Sequence, residues 1–199
     1  MRWDNLFDDL ESQLEQELTA EEVDLQAEEE RLRLARLGMR NRLRSLHSAT
    51  VASERRLRLN LADGSTVTVD PATFGRDWLA GELVEESGRR PQCIVALDAI
   101  DGVILSARQV VQSLDSSGDG ESAAALSARL GLAFVLRDLC RRRQAVELWL
   151  RDARMHGTID RVGRDHIDLA VHEPDRPRRE SEIREYRIVR LGQLVLVRI

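Results

Sequence analysis

The side chains with the most chemical potential gather in one short segment. Three of the four histidines, His156, His166 and His172, lie close together, with Asp168 between the last two. If the chain turns at Arg164, His156 and His172 face each other across an antiparallel ladder, and Asp168 shares a face with His166 and His172. Imidazole and carboxylate are zinc ligands. Polar residues on the outer face of a strand give the same spacing, so no metal is assigned. Around this segment runs a basic set, Arg141, Arg142, Arg143, Arg151, Arg154, Arg161 and Arg164, able to track phosphates and so to bind nucleic acid. Glu147, Asp152 and Asp160 neighbour it, and a solvated, salt-bridged face is the preferred reading. Nucleophilic catalysis needs a nucleophile beside a base. No GxSxG, P-loop, GxGxxG or HExxH pattern is present. The residues point to a protein that is not an enzyme and needs no cofactor.

The elements that must position these groups draw on a chain of 199 residues, 42% hydrophobic and 33% charged, enough for a core under a heavily charged surface. Aromatics are only 4%, few for a protein that stacks bases or sugars. All 30 basic residues are arginine, which a GC-rich coding bias explains more simply than selection for bidentate contacts. Cys93 and Cys140 have no CxxC partner and read as buried free thiols of a reducing compartment. The opening Met1-Arg2-Trp3-Asp4 runs into acids rather than an apolar leader, and no stretch approaches a membrane span. A cytoplasmic location is expected.

Charge is uneven. Residues 1–30 hold 12 acids and one Arg, whereas residues 31–44 hold six Arg and no acid. Residues 45–121 are acidic on balance and residues 122–199 basic. Such a dipolar arm favours self-pairing or electrostatic docking over a uniform nucleic-acid footprint.

The pattern predicts a helical arm over 1–47. Trp3, Leu6, Phe7, Leu10 and Leu14 fall on one helical face among acids, the pattern of a helix that lies in a groove of a partner. Thr19-Ala20-Glu21-Glu22 reads as a capping box where the helix breaks and restarts. From residue 56 the period becomes two, with Leu57, Leu59 and Leu61, then an Asp63-Gly64 hairpin turn into Val67 and Val69. Residues 54–114 form a first small β-barrel, 115–121 a flexible linker, and 122–199 a helix plus a second barrel. The helix at 122–142 is apolar all round at 130–136, which predicts burial on more than one side between the barrels.

The two halves match. Phe74-Gly75-Arg76-Asp77-Trp78-Leu79 stands 88 residues before Val162-Gly163-Arg164-Asp165-His166-Ile167, and about six elements follow the same order in each half. A five-strand sheet this short curls into a barrel to protect its edges. The second half resembles an Sm/LSm-type (SH3-like) small barrel, in its N-terminal helix, the Asp152 turn, the Gly157-x-Ile159 strand, Asp165, and Val189-Arg190-Leu191-Gly192 before a final Val/Ile strand. The resemblance implies RNA binding, which in that family uses an Asn and an Arg-Gly pair. Asp168 stands where the Asn would be, and Leu191 interrupts the Arg-Gly pair. Trp3-Asp4-Asn5-Leu6-Phe7-Asp8-Asp9-Leu10-Glu11 also resembles the opening of an uncharacterised actinobacterial protein family.

The fold class expected is therefore α+β, a helical arm followed by two small Sm-like barrels joined by a buried helix. The preferred function is a protein-interaction or scaffold module that engages a protein partner or itself through the amphipathic N-terminal helix. The alternative is an RNA-binding protein using the Arg-rich second barrel. No membrane partner is expected.

Overall fold

The computed structural model describes residues 22–49, 51–114, 126–174 and 179–199. Contacts group Arg40–Ile199 into one compact unit and the residues before Arg40 into another. In the first of these in the chain, residues 22–36 form helix α1, exposed along nearly all its length, with Arg31–Glu28 and Arg33–Glu30 ion pairs one turn apart. Such pairs contribute only a few tenths of a kcal/mol, about 0.2–0.5. The remaining helices are α2 (Met39–His47), α3 (Ala52–Arg55), α4 (Ala107–Leu114) and α5 (Leu132–Arg141).

Ten strands form, some from alternating apolar residues, as in the first, and others from continuous apolar runs, as in the fourth and tenth. These are β1 (Leu57–Leu61), β2 (Thr66–Phe74), β3 (Trp78–Leu83), β4 (Gln92–Ala96) and β5 (Ile100–Ile104), then β6 (Ala145–Leu150), β7 (Arg154–Val162), β8 (His166–Val171), β9 (Glu185–Arg190) and β10 (Leu194–Arg198). They make one antiparallel sheet in the order β5-β1-β2-β3-β4-β10-β6-β7-β8-β9. The fold is thus mixed α and β around a continuous sheet, not a closed barrel. The Asp63-Gly64 turn forms as its residues dictate. Gly64 has a φ of 80°, which only glycine adopts at no steric cost, and Asp63 Oδ1 accepts from the Ser65 amide at 3.0 Å.

The repeat extends to individual hydrogen bonds. The Gly75 amide donates to the Trp78 carbonyl as Gly163 donates to His166, both at 2.8 Å. Leu97 donates to Asp77 as Leu191 does to Asp165, and Val84 to Thr68 as His172 does to His156. The register slips in β2 between Pro71 and Thr73, and in β7 between Ile159 and Arg161, again 88 positions on. A bulge bends its strand and increases the local twist, so each block of five strands curves at the same place. In each block the fifth strand pairs with the first and the others follow in chain order.

How the blocks join departs from the sequence-based expectation. They meet edge to edge: β4 pairs with β10, setting Val95 opposite Leu196, Ile94 opposite Val197 and Cys93 opposite Arg198. Both strands are buried almost throughout, and one hydrophobic cluster runs through both halves. Arg198 braces the junction, its Nη2 2.9 Å from Glu85 and its Nη1 3.4 Å from Glu147. The helix adds to this junction only at its head, which bonds to the Gly75–Trp78 turn of the first block. Residues 126–129 are a 3-10 turn, α5 begins only at Leu132, and it buries a single stripe, Leu132, Leu136 and Leu139. Phe134 lies off that stripe and is 53% exposed. An i, i+4, i+7 stripe is all one packed face requires.

Candidate functional site

The turn Gly75–Trp78 grips the start of α5. Arg76 N–H and the Trp78 indole Nε1–H both donate to the Leu130 carbonyl, at 2.9 and 3.0 Å, and the Leu132 amide donates to Asp77 Oδ1 at 2.7 Å. Asp77 thereby satisfies an orphan amide at the positive end of a helix dipole. Glycine is required at 75 because the Trp78 ring lies where a Cβ would go. The equivalent turn, Gly163–His166, keeps the ring-over-glycine packing with His166 and its Gly163 carbonyl accepts from Arg137 of α5 at 3.4 Å, but it caps no helix start among the described residues. Asp165 is exposed and accepts instead from His166 Nδ1 at 2.9 Å. That hydrogen bond, aided by the charges of His166 and Arg190, holds the Asp165 carboxyl below the usual carboxylate range.

Beside this turn lies an open sheet edge. Among the described residues β9 and β5 each have one strand neighbour. On β9, Tyr186, Arg187 and Ile188 are exposed while Val189 reaches the core. With Asp160, Arg161 and Asp168 the three exposed residues line a groove of ≈ 400 Å³. An apolar pair on an unpaired edge is a template for another strand.

His156 and His172 do face each other, with ring centroids 5.2 Å apart. His156 Nδ1 donates to the His172 carbonyl, and buried His172 has Nδ1 on the Glu173 carbonyl and Nε2 on the Thr158 hydroxyl, both at 2.9 Å. Both nitrogens of His172 are engaged, and Asp168 is 3.7 Å from Arg161. Among the described residues no set of three His, Cys, Asp or Glu converges as metal ligands would.

The arginines do not form one patch. Arg141 and Arg142 both pair with Asp138, Arg143 lies 3.8 Å from Asp160 and Arg161 sits by Asp168. Arg154, 3.9 Å from Asp63, stacks over the Trp149 ring at 3.7 Å, and Arg151 Nε donates to the Gly192 carbonyl. Arg154 and Arg161 stand at opposite ends of β7, about 23 Å apart at 3.3 Å per residue. Arg164 is exposed at the β7–β8 turn. The stripe Trp3, Leu6, Phe7, Leu10 and Leu14 lies outside the described residues, as does the linker 115–121.

Sequence reasoning missed Tyr186 and Ile188. Their signal was available in the repeat, because Ile188 occupies the position of Ile94 one block later, each three residues before the Leu-led 3-10 turn that precedes the last strand. Compared with family models, with curated proteins and with solved structures, the chain matches none. Among the described residues no helix is long and apolar enough to cross a membrane.

Proposed function

We propose that this chain is a non-enzymatic interaction module, a scaffold whose working surface is the open β9 edge. The observation that carries this reading is Ile188, three-quarters exposed beside exposed Tyr186 on a strand with one neighbour among the described residues. Main-chain groups of such an edge supply affinity and the groove beside it supplies side-chain selectivity. The acidic, apolar-striped segment from Trp3 to Leu14 supports the same class of function from the sequence side, as a second handle. The finer architecture, two small barrels of Sm-like type, is supported by the repeated strand order and by bulges at equivalent positions. RNA binding has less support, because five of the seven candidate arginines are occupied by carboxylates and the set is divided between the ends of β7.

The test is a pull-down from the native cell with wild type and Ile188→Asp, read by mass spectrometry. The variant should lose the partners that wild type captures. An unchanged partner set with the variant refutes the β9 edge as the working surface.

A further inference from the structure

Inside the chain, the first block offers β4 and the Gly75–Trp78 turn, and the second block answers with β10 and the head of α5. The repeat supplies both sides of this junction a second time, at the two open ends. The second block ends in β9 and the Gly163–His166 turn, the equivalents of β4 and Gly75–Trp78. The first block presents β5, the equivalent of β10, and α2, the equivalent of α5. The helix equivalence is close: Leu37-Gly38-Met39 leads α2 as Leu130-Gly131-Leu132 leads α5, and Leu43 and Leu46 are buried as Leu136 and Leu139 are.

We propose that the chain assembles head to tail with copies of itself through these ends, an inference that rests on β9 being the working edge. The β9 edge of one copy receives the β5 edge of the next in the register used by β4 and β10. Equivalence sets Gly102 opposite Val189, Val103 opposite Ile188 and Ile104 opposite Arg187. Asp165 turns from His166 to the first amide of the next copy's α2, as Asp77 holds that of α5.

Three observations on the open ends support a second copy over an unrelated strand. Apolar residues that the internal junction buries are exposed where that junction is missing: Ile94 is 4% exposed and Ile188 76%, Leu132 8% and Met39 41%. Charge is complementary as well, since in this register Arg190 of β9 falls opposite Asp101 of β5, while Arg187 already pairs with Glu185. The same carboxylate position, 77 in one block and 165 in the other, caps a helix in the first and none among the described residues in the second. A contact of this kind joins two different surfaces, so it does not stop at two chains unless it closes on itself.

The experiment measures mass by sedimentation and light scattering on purified full-length chains. Wild type should give species larger than two chains of 22.6 kDa. Ile188→Asp spoils the β9 side, and Ile104→Arg spoils the β5 side by placing like charge opposite Arg187. Both residues are exposed, and circular dichroism melts check that the variants fold. Each variant alone should run as one chain. Their equimolar mixture retains one good β9 and one good β5, and should give a complex of two chains and no more. Wild type that stays at one chain at its highest soluble concentration overturns the proposal. So does an Ile104→Arg chain that still self-associates, which would mean β9 pairs with β9. A monomeric wild type whose cellular partners still depend on Ile188 would refute self-assembly while leaving the β9 reading standing.

Discussion

Replacing Asp77 with alanine should loosen the start of α5 by a calculable amount. Asp77 Oδ1 is 2.7 Å from the Leu132 amide, the first of α5, and Gly131 at the N-cap has no side chain to do the same. Loss of a capping oxygen costs about 1–2 kcal/mol, and the charge–dipole part of this is about 0.3–1 kcal/mol. The Arg76–Asp77 pair at 3.4 Å is exposed and adds little. In a unit of this size each kcal/mol lowers Tm by about 2–4 °C, so Asp77→Ala should melt about 2–8 °C lower. Asp77→Asn keeps an acceptor and should lose roughly the charge part only. Melts are best made in the Ile188→Asp background, because association raises apparent stability by mass action. Asp165→Ala, which loses only an exposed contact with His166 and caps no described helix, is the internal control and should lower Tm much less in that background. Urea midpoints should shift in parallel with an unchanged slope. An Asp77→Ala protein that melts with wild type would refute the capping argument, as would an Asp165→Ala protein that falls equally.

Two further outcomes follow from the core. Burial pushes the Cys93 thiol up from its ordinary 9.0 to about 12, against a small opposing effect of a hydrogen bond with the Gly81 backbone. The folded state therefore keeps a proton that the unfolded chain loses between about pH 9 and 12, so this contribution is complete below pH 9 and is lost as pH rises; Cys93 should resist disulfide reagents until denaturant is added, and rapid labelling of native protein would contradict the burial. Gly81→Ala would drive a Cβ into the Asp70 carbonyl on the neighbouring strand, costing about 1–3 kcal/mol as overpacking, and a chemical melt indistinguishable from wild type would show that β2 and β3 can separate without loss.

Much of the fold was legible in local pattern. Alternation located β1 and β2, and the Asp63-Gly64 and Asp152 turns fixed two hairpins, because strand period and turn chemistry act over a few residues. The 88-residue repeat was legible for the same reason. The junction was not. Ile94-Val95-Ala96 and Leu194-Val195-Leu196-Val197 are continuous apolar runs, the mark of strands buried on both faces, but nothing local says that they bury each other. The helix at 130–141 misled in the opposite direction, since an apolar composition all round does not show which side meets the sheet, and Phe134 faces out. The arginines were counted correctly as a set, and Arg141 and Arg142 find Asp138 at the i,i+3 and i,i+4 spacing of one helix, yet Asp160, Asp63 and Asp168 come from other elements at no fixed spacing.

The place of β10 also shapes how the molecule comes into being. It leaves the ribosome after the other nine strands, yet it lies between β4 and β6. Until then β4 is a bare edge with Ile94 uncovered, while β1, β2, β3 and β5 can already pair. The nascent first block therefore waits with a sticky margin for as long as roughly a hundred residues take to be made, about 5–20 seconds at the usual pace of synthesis. Late closure of a non-local pair is slow as well as exposed. Premature release before Leu194 would leave two half-sheets without their common seam, and such fragments are natural clients for chaperones.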